Sequence, residues 1–146
     1  MTPAQRKKVV AAALAWENTP YHHQANIQGV GVDCVMLLVE VYKSCRLIPA
    51  DFDPRPYARN WHLHRSDEMY LAGLERFGAP LRGRQRPLPG DIAMFQFGRC
   101  ASHAALVLQW PLVLHAYADV GSVVQTDISK STALTKRLRG FYRIKG

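Results

Sequence analysis

The stretch Gly29-Val30-Gly31-Val32-Asp33-Cys34-Val35-Met36-Leu37-Leu38-Val39 decides how this chain folds. Its two glycines, and the absence of a helical period before them, mark a loop. From Cys34 onward Val35, Leu38, Val39 and Tyr42 recur at i, i+3, i+4 and i+7, so a helix with a buried face is predicted from Cys34 to Arg46. Asp33 offers the short carboxylate that caps its first turn. A cysteine at that position meets the helix's partial positive charge and free N–H groups, which favour thiolate over thiol and can hold an oxyanion. A lone cysteine is more commonly a small buried hydrophobe, so the nucleophile reading depends on a base nearby.

Working outward, Thr2 and Pro3 open a first helix whose Val9, Ala13, Trp16 and Val10, Leu14 stack at helical spacing. The same basic-then-apolar start can also be read as a short export signal, with Ala13-Leu14-Ala15 as its cleavage site; the helix is preferred. Asn18-Thr19-Pro20-Tyr21 breaks the helix, and a loop runs from there to Asp33. Beyond the Cys34 helix, Pro49 to His64 reads as a proline-stiffened surface excursion. A helix begins at Ser66 and stops near Gly78. From Pro89 the texture changes to short β-prone runs, Asp91–Phe97, Ala104–Gln109, Leu112–Tyr117, Ser122–Thr126 and Arg139–Ile144. Helices first and strands later predict an α+β fold with a central antiparallel sheet of about five strands, residues 1–146 forming one domain.

Composition narrows the function classes. At 146 residues, 48% hydrophobic and 21% charged, the chain can bury its own core, and no apolar run reaches the roughly 20 residues of a membrane span. Nineteen Lys and Arg against 11 Asp and Glu give +8, suited to polyanionic surroundings such as nucleic acid, anionic lipid or wall polymer, among which charge alone does not choose. The basic residues Arg82, Arg84, Arg86 and Lys130 to Lys145 carry neither interleaved aromatics nor a reading helix, so nucleic acid is not expected as a partner. Three cysteines, Cys34, Cys45 and Cys100, make a disulfide framework a poor account.

A base is available in the strand half. Ser102-His103 opens one apolar strand and His115 lies inside the next. A three-residue loop, Gln109-Trp110-Pro111, sets residue 108 against 112, so that His115 faces Ala105 and lies diagonal to His103 on one face. A two-residue loop at Trp110-Pro111 turns His115 to the other face. The competing reading of His115 is a satisfied core histidine.

Taken together, Thr19-Pro20-Tyr21, Gly29 to Cys34, Trp61-His62-Leu63-His64, Pro89-Gly90-Asp91, Ser102-His103-Ala104-Ala105, Leu114-His115-Ala116 and Gly140-Phe141-Tyr142-Arg143 resemble the NlpC-type cell-wall cysteine peptidases of the papain-like group. Within that group the likeness is to the small branch encoded with phage and phage-like tail genes. The resemblance implies Cys34 as nucleophile, His103 as general base and His115 as the group orienting it, with Tyr21 and Asp33 at the substrate. It implies an endopeptidase cutting peptidoglycan stem peptides between D-γ-glutamate and diaminopimelate, with no metal or organic cofactor. Expected partners are the peptide substrate and phage-like tail proteins, without membrane insertion, and the expected location is a virion or phage-like tail acting in the periplasm or wall. Val35 and Met36 depart from the small residue and glycine usual after the Asp-Cys pair. That departure leaves an alternative open, a catalytically weak or inactive tail-assembly module that keeps the fold.

Other candidates read more plainly. His22-His23 is taken as surface polar sequence, and Trp61-His62-Leu63-His64 as a recognition or packing segment. A zinc set of Cys34, Cys100, His103 and His115 lacks an anchoring C-x-x-C pair. Cys100 is expected as a free thiol in a turn, and Cys45 as a packing residue.

Overall fold

A computed structural model describes residues 1–57, 69–98 and 100–146. Helix α1 (Pro3–Leu14) begins as the sequence suggests. Thr2 accepts the Gln5 amide at 3.1 Å and Gln5 returns its side-chain oxygen to the Thr2 amide at 2.7 Å, satisfying two N–H groups that a helix start leaves unpaired. Val9 and Ala13 are its buried residues, and Trp16 beyond it joins the same core.

Helix α2 (Cys34–Ser44) is buried over most of its circumference: Cys34, Met36, Leu37, Leu38, Val39, Val41 and Tyr42 are all enclosed. The predicted four-residue stripe was too narrow because this helix lies between α1 and the sheet, touching both. Burying Leu37 and Met36 fully contributes about 2 kcal/mol each. The loop before it is not featureless. Strands β1 (Asn26–Ile27) and β2 (Gly31–Val32) form a small antiparallel hairpin. A β-carbon at Gly31 would meet the His22 ring at 2.9 Å and the Ala25 methyl at 3.2 Å, a crowding that glycine avoids.

The sheet has six strands, one more than predicted: β3 (Gly78–Pro80), β4 (Ile92–Phe97), β5 (Cys100–Gln109), β6 (Leu112–Tyr117), β7 (Ser122–Asp127) and β8 (Leu138–Ile144). Their order is β3-β8-β4-β5-β6-β7, with every neighbour antiparallel. The extra strand follows helix α3 (Met69–Phe77) directly, and its three residues, one of them proline, carry no alternating pattern to reveal it. A β-carbon at Gly78 would lie 2.6 Å from the Arg143 carbonyl, which accounts for glycine at this close approach. The predicted start of α3 at Ser66 and the segment Trp61–His64 lie outside the described residues. Cys100 opens β5 and pairs with Phe97, where a turn was expected. A further departure is helix α4 (Thr132–Arg137), capped by Ser131, within the basic C-terminal run.

Alternation along the strands sorts the core into two layers. Ile92, Met94, Ala104, Leu106, Leu114 and Ala116 join the helices α1 and α2. Ala93, Phe95, Ala105, Val107 and Val113 pack with Ile128 and Leu134 in a separate cluster. The Pro89-Gly90-Asp91 motif ties the ends of the chain together. Fully buried Asp91 receives Arg6 at 2.9 Å, Arg143 at 2.7 Å and the Leu88 amide at 2.8 Å, while Tyr42 donates to the Gly90 carbonyl at 2.7 Å. Among the described residues, no helix is long and apolar enough to cross a membrane.

Candidate active site

Antiparallel pairing brings the last residues of β4 and β6 to the same end of the sheet as the first residues of β5 and β7. The segment after α1 joins them there. The Tyr21 amide donates to the Gly121 carbonyl at 2.8 Å, Pro20 bridges Ser122, and Tyr21 pairs with Val32 just ahead of α2. These pairings deliver the start of α2 to the sheet end that carries His103. A cleft of about 230 Å³ opens there, lined by Tyr21, Cys34, Tyr57, His103, Tyr117 and Asp119 among others. Cys34, 9% exposed, and His103, 7% exposed, both line it.

Asp33 performs the capping predicted for it, accepting the Met36 amide at 2.9 Å. Its other oxygen accepts the Gln24 amide at 2.7 Å and the Tyr57 hydroxyl at 2.5 Å, so a carboxylate only 2% exposed is saturated by three donors. Burial, then the bond to Asp33, pushes the Tyr57 hydroxyl well above the ordinary tyrosine range and keeps it a donor. Tyr57 was missed because it belongs to a stretch expected to run over the surface. The described part of that stretch, up to Tyr57, turns inward, with Phe52 edge-on to Phe77 at 4.8 Å and Tyr57 buried. His23 is likewise more than a surface residue: it meets the Tyr57 ring edge-on, hydrogen-bonds its carbonyl at 3.1 Å and lines the cleft. His22 is exposed, as expected.

The two sheet histidines meet. His103 Nε2 lies 2.8 Å from His115 Nδ1, and His115 Nε2 lies 2.9 Å from the Thr126 hydroxyl. The register that permits this differs in origin from the predicted one. Gln109 pairs with Leu112 across a two-residue turn, the connection that by itself separates the imidazoles. Between Val107 and Gln109, however, the ladder carries a bulge, and from there Val107 faces Val113 and Leu106 faces Leu114. Continuing that ladder sets His115 against Ala105, on the same face as His103.

Aromatic rings enclose the pair. Phe95, Phe97 and Tyr117 surround His103 at centroid distances of 5.6 to 5.8 Å, and Tyr117 stacks on His115 at 4.7 Å. Burial first, and then the neighbouring His115, hold His103 well below the ordinary histidine range. Burial alone lowers His115 to about 4. Both rings are therefore neutral at pH 7, and in a neutral imidazole one nitrogen donates while the other accepts. With Nε2 of His103 engaged by His115, its Nδ1 is left for other partners. Among the described residues, no group of three or more His, Cys, Asp or Glu side chains is arranged to hold a metal ion.

The fold has known counterparts. The chain has the NlpC/P60 fold. A Bacillus cereus NlpC/P60 family protein superposes with a TM-score of 0.69 at 19% identity, over 100% of this chain and 42% of its own. The NlpC/p60 domain of the peptidoglycan hydrolase SagA gives 0.63 at 17% identity, over 97% of this chain and 98% of that domain. An N-acetylmuramoyl-L-alanine amidase from Bacteroides uniformis gives 0.60 at 12% identity, over 98% of this chain and all of that one. The chain spans less than half the length of several proteins it matches, the Bacillus cereus one included. No protein-family model matches the sequence, and no curated protein matches it either. The likeness to the NlpC/P60 proteins is one of fold.

Proposed function

We propose that this chain is a cysteine peptidase of the bacterial cell wall, with Cys34 as nucleophile, His103 as general base and His115 as the group that orients it. The observation that carries this reading is the shared cleft: Cys34 at the capped start of α2 and His103 line one cavity, and His115 holds the far nitrogen of His103. The NlpC/P60 fold, found in the SagA peptidoglycan hydrolase domain, gives the reading its substrate class.

In the reaction, His103 Nδ1 takes the Cys34 proton as sulfur attacks the amide carbonyl, and the first N–H groups of α2 face the oxygen that gains charge. The tetrahedral intermediate collapses with the His103 proton passing to the leaving amine, giving a thioester. Water, deprotonated by His103, attacks the thioester and returns the thiol. The bond we assign is that between D-γ-glutamate and diaminopimelate in the stem peptide, and the setting a phage-like tail that brings the domain to the wall. Tyr21 and Asp119 border the cleft where the peptide would lie.

Incubation with purified sacculi tests this. Wild-type protein is expected to release soluble muropeptides and Cys34→Ala none. Fragment masses report the bond: a new diaminopimelate amine marks the proposed cut, whereas peptides freed from the lactyl group mark amidase action of the kind named for the Bacteroides relative. A second reading, an inactive tail-assembly module, draws on Val35, which walls the cleft where NlpC-type sequences carry a small residue. Absence of release by wild type, together with stable association with tail proteins, would select it.

A further inference from the structure

The hydrogen-bond chain does not end at His115. We propose that Thr126 is a positioning residue that fixes the proton arrangement of both histidines, its Oγ1 accepting the His115 Nε2–H so that His103 presents an unprotonated Nδ1 to Cys34. The inference rests on the catalytic reading of His103 and goes one residue beyond it.

Only two proton arrangements satisfy the neutral pair. In one, Thr126 donates to His115 Nε2, His115 Nδ1–H donates to His103 Nε2, and His103 must carry its own proton on Nδ1. A ring in that state has no lone pair to offer the thiol. In the other, every bond is reversed: His103 Nε2–H donates to His115 Nδ1, His115 Nε2–H donates to Thr126, and His103 Nδ1 is free to accept. The 2.8 and 2.9 Å separations suit either direction. Chemistry selects the second. Once His103 has taken the thiol proton, both its nitrogens carry hydrogen, so His115 Nδ1 must be an acceptor. The His115 proton must then sit on Nε2, where the Thr126 oxygen is 2.9 Å away.

The setting of Thr126 allows this role. His115 is fully buried, while Thr126 is half-buried on the outermost sheet strand β7, opposite Val113. Its hydroxyl proton can point to solvent, leaving an oxygen lone pair for the imidazole. No sequence spacing marks Thr126; only the β6–β7 register brings it to His115.

The test pairs Thr126→Val, which keeps the shape and removes the oxygen, with Thr126→Ser, which restores it. Imidazole nitrogen NMR on the full chain at neutral pH reads which nitrogen of each histidine carries the proton. Wild type and Thr126→Ser are expected to show His115 protonated on Nε2 and His103 on Nε2, and Thr126→Val to lose that pattern. On sacculi, Thr126→Val should lower kcat about tenfold, the scale of one buried hydrogen bond, with KM little changed and activity recovered in Thr126→Ser. Identical nitrogen signatures in wild type and Thr126→Val, or wild-type His115 protonated on Nδ1, would overturn the proposal. If the signatures move as expected but wild type releases nothing from sacculi, the positioning role stands and the hydrolase reading falls.

Discussion

Acid should destabilise this protein through its two buried imidazoles before its carboxylates dominate. His115 is fully enclosed and burial holds it down to about 4, whereas in the unfolded chain it returns to roughly 6.5. The unfolded chain therefore binds the proton first. The stability that neutral His115 contributes is complete above about pH 6.5 and is lost as the pH falls toward 4. For one group with these two values, the loss between about pH 7.5 and about pH 4.5 is about 2.5 kcal/mol. His103 is shifted in the same direction by burial and by His115, and steepens the fall by up to about 1.4 kcal/mol per pH unit. Urea unfolding followed by tryptophan fluorescence, stepped through this window, measures the slope. His115→Asn removes one titrating group but keeps an amide oxygen to accept from His103, so its slope should be shallower by about one proton. Carboxylates titrate alike in both proteins and cancel in the comparison. Equal slopes for wild type and His115→Asn would refute the assignment of acid sensitivity to this pair.

Three further outcomes are expected. Iodoacetamide should label Cys34 faster than Cys45 at neutral pH, and His103→Ala should slow Cys34 specifically, as peptide masses would report; equal rates at the two thiols would remove the case for an activated sulfur. Asp91→Asn should cost about 3 kcal/mol in urea unfolding, because it leaves Arg6 and Arg143 around a neutral buried group, and a loss under about 1 kcal/mol would show the cluster to be slack. Tyr57→Phe should cost about 1 kcal/mol by removing a donor from Asp33, with a parallel drop in sacculus digestion if that cap holds Cys34 in place.

What the sequence revealed and what it concealed divide by range. The Asp33 cap, the start of α2 at Cys34 and the Thr2-Pro3 opening of α1 are decided within four residues, so their residue types state them outright. The β4 to β7 strands were legible as short β-prone runs set apart by turn residues, and β4 and β6 are buried on both faces rather than alternately. The meeting of His103 and His115 depends on a bulge that composition does not announce, so the expected register was reached with a different loop. Tyr57 and Thr126 reach Asp33 and His115 through pairings across 24 and 11 residues, for which one sequence holds no local signal. Strand β3 and helix α4 are too short, at three and six residues, for periodicity to register.

The split core has a consequence for how such a site changes over time. Cys34 is anchored in the cluster beneath α1 and α2, while Phe95 and Tyr117, which wall His103, belong to or pack against the cluster on the opposite side of the sheet. Sulfur and imidazole thus inherit their positions from foundations on opposite faces of the same strands. A substitution under one foundation can retune its own partner while leaving the other in register, so nucleophile and base are open to independent drift.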